Sequence, residues 1–204
     1  MDEMQNSNRV ILCGVPVSEP VFSHESRSEP FYTFPLEVTR LSGAVDRINI
    51  LLRRGLLPDL RPSPAGLIGV EGELRSFNNR SGEGSRLVIS VFARSLWVPE
   101  ESVWENHVEL TGTLCKTPTH RTTPMGREIT DLMLAVNRPY GRSDYLPCIT
   151  WGQTARMAAE WTVGTRVHMV GRIQSREYIK NLDGQAIRRV AYEVSVSELA
   201  LAEN

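Results

Sequence analysis

Laid against itself, the 204-residue chain repeats. At an offset of 98 residues, Asn8 falls on Asn106, Val10 on Val108, Leu12 on Leu110, Gly14 on Gly112 and Pro20 on Pro118. The same offset places Leu36 on Leu134, Val38 on Val136, Arg40 on Arg138 and Asp46 on Asp144. After one inserted residue, Gly72 meets Gly171 and Ser76 meets Ser175. Apolar, glycine and proline positions recurring in one order mark a duplicated unit rather than one large domain. The copies run over 1–98 and 105–204 and are joined by a short acidic segment, Pro-Glu-Glu-Ser. The chain is therefore two small domains of one fold.

Each copy reads mostly as strand. NRVILCG and NHVELTG are short apolar runs ending in glycine, FYTFPLEVTR matches EITDLMLAVNR, and RINILLR matches YLPCITW. A segment rich in Ala, Met and Gln follows in the second copy, GQTARMAAEW, and predicts a helix that stops before Val163-Gly164. Its counterpart RGLLPDLRPSPAG carries three prolines and holds at most one turn. Two strands then close each copy, LIGVEGELRSF with RLVISVFARSLWV, and VHMVGRIQSREY with RRVAYEVSVSELAL around the turn signal Asn181-Leu-Asp-Gly184. The expected fold is all-β with one short helical segment per copy. Strand, strand, strand, helix, strand, strand in about 95 residues fits a five-stranded barrel of the oligonucleotide/oligosaccharide-binding (OB) type, twice in tandem. An immunoglobulin-like sandwich wants about seven strands and no helix between the third and fourth.

Composition narrows the function classes. Lys+Arg 23 against Asp+Glu 24 gives a net charge of −1, so no global charge marks a polyanionic partner. Lysine stands only at 116 and 180, and every other basic residue is arginine, which stacks flat and grips phosphate in pairs of bonds. Cys13, Cys115 and Cys148 have no CxxC spacing and the four histidines form no ligand cluster, so neither a disulfide framework, a metal site nor a cofactor is expected. There is no phosphate-binding loop, GxSxG elbow or HExxH, and Gly82-Glu-Gly84 reads as a hairpin turn, so no enzyme is expected. The start of the chain lacks a basic segment followed by an apolar one, and no run reaches the roughly 18 apolar residues of a membrane span. These features point to the cytoplasm, and Asn79-Arg-Ser81 reads as a turn rather than a glycosylation site.

Strand alternation picks out one surface of the second copy. In Asp144–Trp151 it puts Tyr145 and Trp151 on one face, with Leu146 and Cys148 opposite. In Arg172–Tyr178 it groups Arg172, Gln174, Arg176 and Tyr178 against Ile173. Two neighbouring strands with aromatic and arginine side chains outward form a stacking platform with phosphate contacts, as single-stranded nucleic acid requires. The same pattern also suits a dimer interface or ordinary amphipathic strands.

The motifs NHVELTGTL, LMLAVNRPY, CITWGQTA and VGRIQSREY give the second copy more. It resembles the bacterial single-stranded-DNA-binding protein family over about 106–200, and the first copy shares only the weaker NRVILCG and VEGELRS. The resemblance implies a tandem-barrel member that binds single-stranded DNA with little sequence preference in replication, recombination or repair, near the nucleoid. It also implies a homodimer supplying four barrels. Carried over by motif, Arg138 and Tyr140 of VNRPY, Tyr145, Trp151 and Tyr178 would contact DNA. The last three are also residues that alternation selected. The loop Gly141-Arg-Ser143 is shorter than is usual in the family, and the sequence ends at ELALAEN rather than in a Gly/Pro/Gln-rich tail with an acidic tip, which argues against tail-mediated recruitment of repair proteins. In the first copy the repeat puts Ser42, Arg47, Arg53 and Asn79 where Tyr140, Tyr145, Trp151 and Tyr178 stand, so stacking is expected in the second barrel, with Arg47 and Arg53 left to meet phosphates or bases. The rival reading is an OB-fold assembly protein of replication restart or of a mobile element, with weak nucleic-acid binding.

Overall fold

The computed structural model describes residues 8–79, 87–101, 103–139, 141–182 and 184–202. The first half contains β1 (Asn8–Pro16), β2 (Val21–Ser26), β3 (Glu29–Thr39), β4 (Val45–Arg53), a 3-10 turn over Arg54–Asp59, β5 (Ile68–Asn78) and β6 (Leu87–Trp97). The second contains β7 (Glu105–Leu114), β8 (Thr119–Thr122), β9 (Glu128–Arg138), β10 (Arg142–Trp151), helix α1 (Gly152–Ala159), β11 (Arg166–Leu182) and β12 (Gln185–Leu201). Both halves have one strand order. In the first it runs β2-β3-β4-β6-β5-β1, and β1 returns to β3 through Val15–Glu37 and Pro16–Leu36. In the second it runs β8-β9-β10-β12-β11-β7, and β7 returns to β9 through Thr113–Ala135 and Leu114–Leu134. Each is a closed five-stranded OB barrel. The short β2 and β8, which the sequence pattern does not separate from loop, extend β3 and β9 at the edge.

By its contacts the chain forms two compact units. One comprises Arg9–Arg75 and Ile89–His107, and the other Val108 onward with Asn8 and the described part of Ser76–Val88.

Alternation fills each barrel. Leu12, Leu36, Ile48, Ile50, Leu74 and Val91 are buried in the first, and Leu110, Leu134, Leu146, Met169, Ile173 and Val194 in the second. Each side chain of this size contributes about 1.5–3 kcal/mol on burial. The paired glycines of the repeat are sites of close approach. A Cβ on Gly14 would sit 2.3 Å from the Glu37 carbonyl oxygen, and one on Gly112 2.5 Å from that of Ala135. Likewise a Cβ on Gly72 would meet the Phe92 oxygen at 2.2 Å, and one on Gly171 the Ser195 oxygen at 2.3 Å. The duplication has kept bare backbone where strands cross at the barrel corners.

The segment between the third and fourth barrel strands differs between the copies. Gly152 takes φ +56° directly after Trp151, turning the chain from strand into α1, and Ala155 and Ala158 are fully buried. The hydroxyl of Thr130 on β9 donates to the Ala155 carbonyl at 2.7 Å and ties the helix down. In the first copy Arg54 replaces that glycine and Pro58 interrupts the segment, leaving the 3-10 turn.

Candidate nucleic-acid interface

The outer surface of the second barrel is built on β10, β12 and β11. Along β10 the inward row Asp144, Leu146, Cys148 and Thr150 is buried, while Tyr145 is 51% and Trp151 36% exposed. This is the alternation read from the sequence. The Cys148 thiol, fully enclosed, is held above its ordinary pKa by desolvation, with Glu193 and Cys115 adding to the shift. On β11, Arg172 and Arg176 are exposed, Tyr178 is half-buried and Ile173 lies in the core.

The two strands are not neighbours. β12 lies between them, pairing in parallel with β10 (Cys148–Val194, Ile149–Ser195) and antiparallel with β11 (Arg172–Ser195, Gln174–Glu193, Arg176–Ala191, Tyr178–Arg189). Alternation assigns faces but says nothing about which strand lies beside which, so sequence reasoning missed the middle strand. Its outward residues organise the surface. The Trp151 indole Nε1 donates to the Ser195 hydroxyl at 3.3 Å, fixing the ring at the end of β10. Glu193, almost enclosed, accepts from Gln174 Nε2 at 2.8 Å and faces Arg176 Nε at 3.8 Å. Gln174 is therefore only 9% exposed and serves the barrel wall rather than the open surface. The Arg176 guanidinium carbon stands 5.9 Å from the Tyr178 ring centre. Arg121 on β8 grips Asp131 through Nε at 2.7 Å, and this bond holds its proton more firmly than usual, with Glu193 contributing. Nothing in the sequence pattern singled out Arg121.

The remaining residues read from the sequence sit elsewhere. The Arg138 guanidinium forks onto the carboxylate of Asp144, which is completely buried. Arg40 holds Asp46 in the same way in the first barrel, with both bonds at 2.6 Å. Both members of each pair recur at the 98-residue offset, which is the sequence signal of the pairing. Tyr140 lies outside the described residues. In the first barrel Arg47 is exposed and paired with Glu37 at 2.5 Å, and Arg53 lies over the Phe92 ring at 5.6 Å. Among the described residues no group of His, Cys, Asp and Glu is arranged to hold a metal ion, and no helix is long and apolar enough to cross a membrane.

A five-stranded OB barrel with aromatic and arginine side chains on this surface can lay bases on ring faces and neutralise the backbone beside them. Residues 105–202 match the model of the "Single-strand binding protein family". The second barrel, just under half of the chain, is thus similar to that family. Two curated relatives share the match: "Single-stranded DNA-binding protein 3" of Listeria innocua and "Single-stranded DNA-binding protein A" of Bacillus subtilis. Each is 35% identical over 89 residues, 40% of this chain and respectively 55% and 51% of the relative. The chain thus spans about half the length of the curated relatives it matches. Among solved structures, that of the wild-type single-stranded DNA binding protein from Thermus aquaticus superposes with a TM-score of 0.77 at 23% identity. It covers 98% of this chain and 95% of that one, so the likeness in fold extends across both barrels.

Proposed function

We propose that the chain binds single-stranded DNA with little sequence preference, chiefly through the outer surface of the second barrel. The observation that carries this is the grouping of Tyr145 and Trp151 on β10 with Arg172, Arg176 and Tyr178 on β11, all facing out across β12. Every base has a π face, so rings at these positions accept any sequence, and Arg172 and Arg176 neutralise phosphates between stacked bases. Arg138 acts behind them by holding Asp144, the residue before Tyr145. The curated relatives are named for the same ligand.

The two copies, 1–98 and 105–204, are the functional modules. The protein works by binding, without a catalytic step, covering exposed strands in replication, recombination or repair in the cytoplasm. It does so as a homodimer that presents four barrels. Trp151→Ala and Tyr178→Ala should each weaken oligo-dT binding by about 1–3 kcal/mol, or about 5- to 150-fold. Affinity unchanged for both variants, with the fold intact, refutes the assignment. Light scattering at micromolar concentration should give twice the mass of one chain, and a single-chain mass refutes the dimer.

A further inference from the structure

The first barrel lacks the second barrel's aromatic residues at their positions, yet its outer surface has rings of its own. The closing strand pairs fix the correspondence. Ile50 and Leu51 pair with Val91 and Phe92, as Cys148 and Ile149 pair with Val194 and Ser195. Phe92 therefore stands where Ser195 does, and by the repeat Arg53 stands where Trp151 does. In the second barrel the ring is on the third barrel strand and leans on a hydroxyl of the last. In the first barrel the ring is on the last strand, and the third contributes the guanidinium lying over it. The aromatic group has moved one strand across the same surface.

It is not alone there. His24 and Phe31, paired between β2 and β3, stack with ring centres 4.9 Å apart and planes within 6°. Phe31 is the cross-strand partner of Arg53 and lies 6.0 Å from Phe92. Arg94 covers Phe92 at 4.7 Å, and Arg75 approaches it at 5.9 Å. Glu73 is bonded to both Arg75 and Arg94, and Arg53 brings a further guanidinium to the same ring. His24, Arg53 and Arg94 are exposed, whereas a cluster serving only the core would be enclosed.

We propose that the strip formed by His24, Phe31 and Phe92, with Arg53 and Arg94, is a second base-stacking site for single-stranded DNA. Bases lie on ring and guanidinium planes, and the arginines meet the phosphates. The proposal rests on the DNA-binding reading above and adds a site at which strand continues beyond the second barrel.

The test uses the full chain with oligo-dT of two lengths: about 10 nucleotides, within the span of one OB barrel, and about three times that. Each carries 5-iodouracil for photocrosslinking and peptide mapping. The long strand should crosslink to first-barrel peptides containing His24, Phe31 or Phe92 as well as to those containing Trp151 or Tyr178. Phe92→Leu, which keeps an apolar side chain of similar size, should abolish the first-barrel adducts. It should also weaken the long strand about 5- to 150-fold and leave the short one unchanged. Phe92→Ser, which installs the residue of the matching second-barrel position, should do the same. Adducts confined to the second barrel overturn the proposal, as does a long-to-short affinity ratio unaffected by Phe92→Leu. Failure of the unaltered chain to bind either strand overturns the DNA reading itself and this site with it. Binding of the short strand alone overturns only this site.

Discussion

Gly171→Ala should damage the barrel and the proposed interface together. Gly171 sits at a register shift in β11, opposite Val196 and next to the Arg172–Ser195 pair. A Cβ there would lie 2.3 Å from the Ser195 carbonyl oxygen, 3.0 Å from its carbonyl carbon and 3.1 Å from the Val196 Cα, where ordinary contact begins near 3.4 Å. All three atoms are backbone, so no side chain can swing aside, and β12 has to retreat by about 1 Å. Overpacking of this kind costs about 1–3 kcal/mol. An immovable neighbour puts the change at the upper end, about 3 kcal/mol, or a fall of about 6–12 °C in Tm for a chain of this length. The retreat carries Ser195 with it, so the hydroxyl under the Trp151 indole moves and oligo-dT affinity falls as well. Gly72→Ala, facing the Phe92 carbonyl oxygen at 2.2 Å, should match it in stability loss. Gly55→Ala, with nothing within 4 Å and no left-handed φ, should stay within about 0.5 kcal/mol of the unaltered chain. Thermal melts followed by tryptophan fluorescence, with dT titrations alongside, measure both effects. A Gly171→Ala chain that melts within a degree of the original and binds dT equally well refutes the reasoning.

The paired Arg47→Ala/Arg53→Ala variant should chiefly flatten the salt dependence of dT binding, because guanidinium–phosphate contacts act through counterion release, whereas Tyr145→Ala/Trp151→Ala should chiefly lower affinity at high salt; titrations at three salt concentrations decide, and unchanged slope and affinity for the arginine pair refute a DNA role for those side chains. Arg40→Ala removes the forked charge partner of the wholly buried Asp46 carboxylate and should cost about 3–5 kcal/mol, more than Asp46→Ala, because the Arg40 side chain is 21% exposed and can turn to water; chemical denaturation that ranks the two variants the other way contradicts this. Cys148, enclosed and with its thiol held above the ordinary pKa, should resist alkylation at pH 8 until the barrel unfolds; mass spectrometry of the native protein that finds it modified refutes that burial.

Much of this was legible in the sequence, for local reasons. Repeat positions such as Gly14/Gly112 and Gly72/Gly171 recur because the same backbone crossings demand them, and the strand alternation of Tyr145–Trp151 follows from a two-residue period alone. What failed were relations between strands. Nothing local says that β12 separates β10 from β11, that Glu193 draws Gln174 into the wall, or that Arg121 reaches Asp131. The Arg138–Asp144 fork was legible only as a repeated pair, at the offset that also relates it to Arg40–Asp46. The first barrel's rings are not legible at the repeat-equivalent positions, because Phe92 lies one strand over.

The central claim is tested most directly by titrating the unaltered chain with oligo-dT, following tryptophan fluorescence from low to high salt. Trp151 should quench on stacking, with saturable binding and a duplex of equal length competing poorly. With two to four phosphates neutralised, log affinity should fall against log salt with a slope of about −1.4 to −2.8. No quenching at low salt, or equal competition by duplex, contradicts the account.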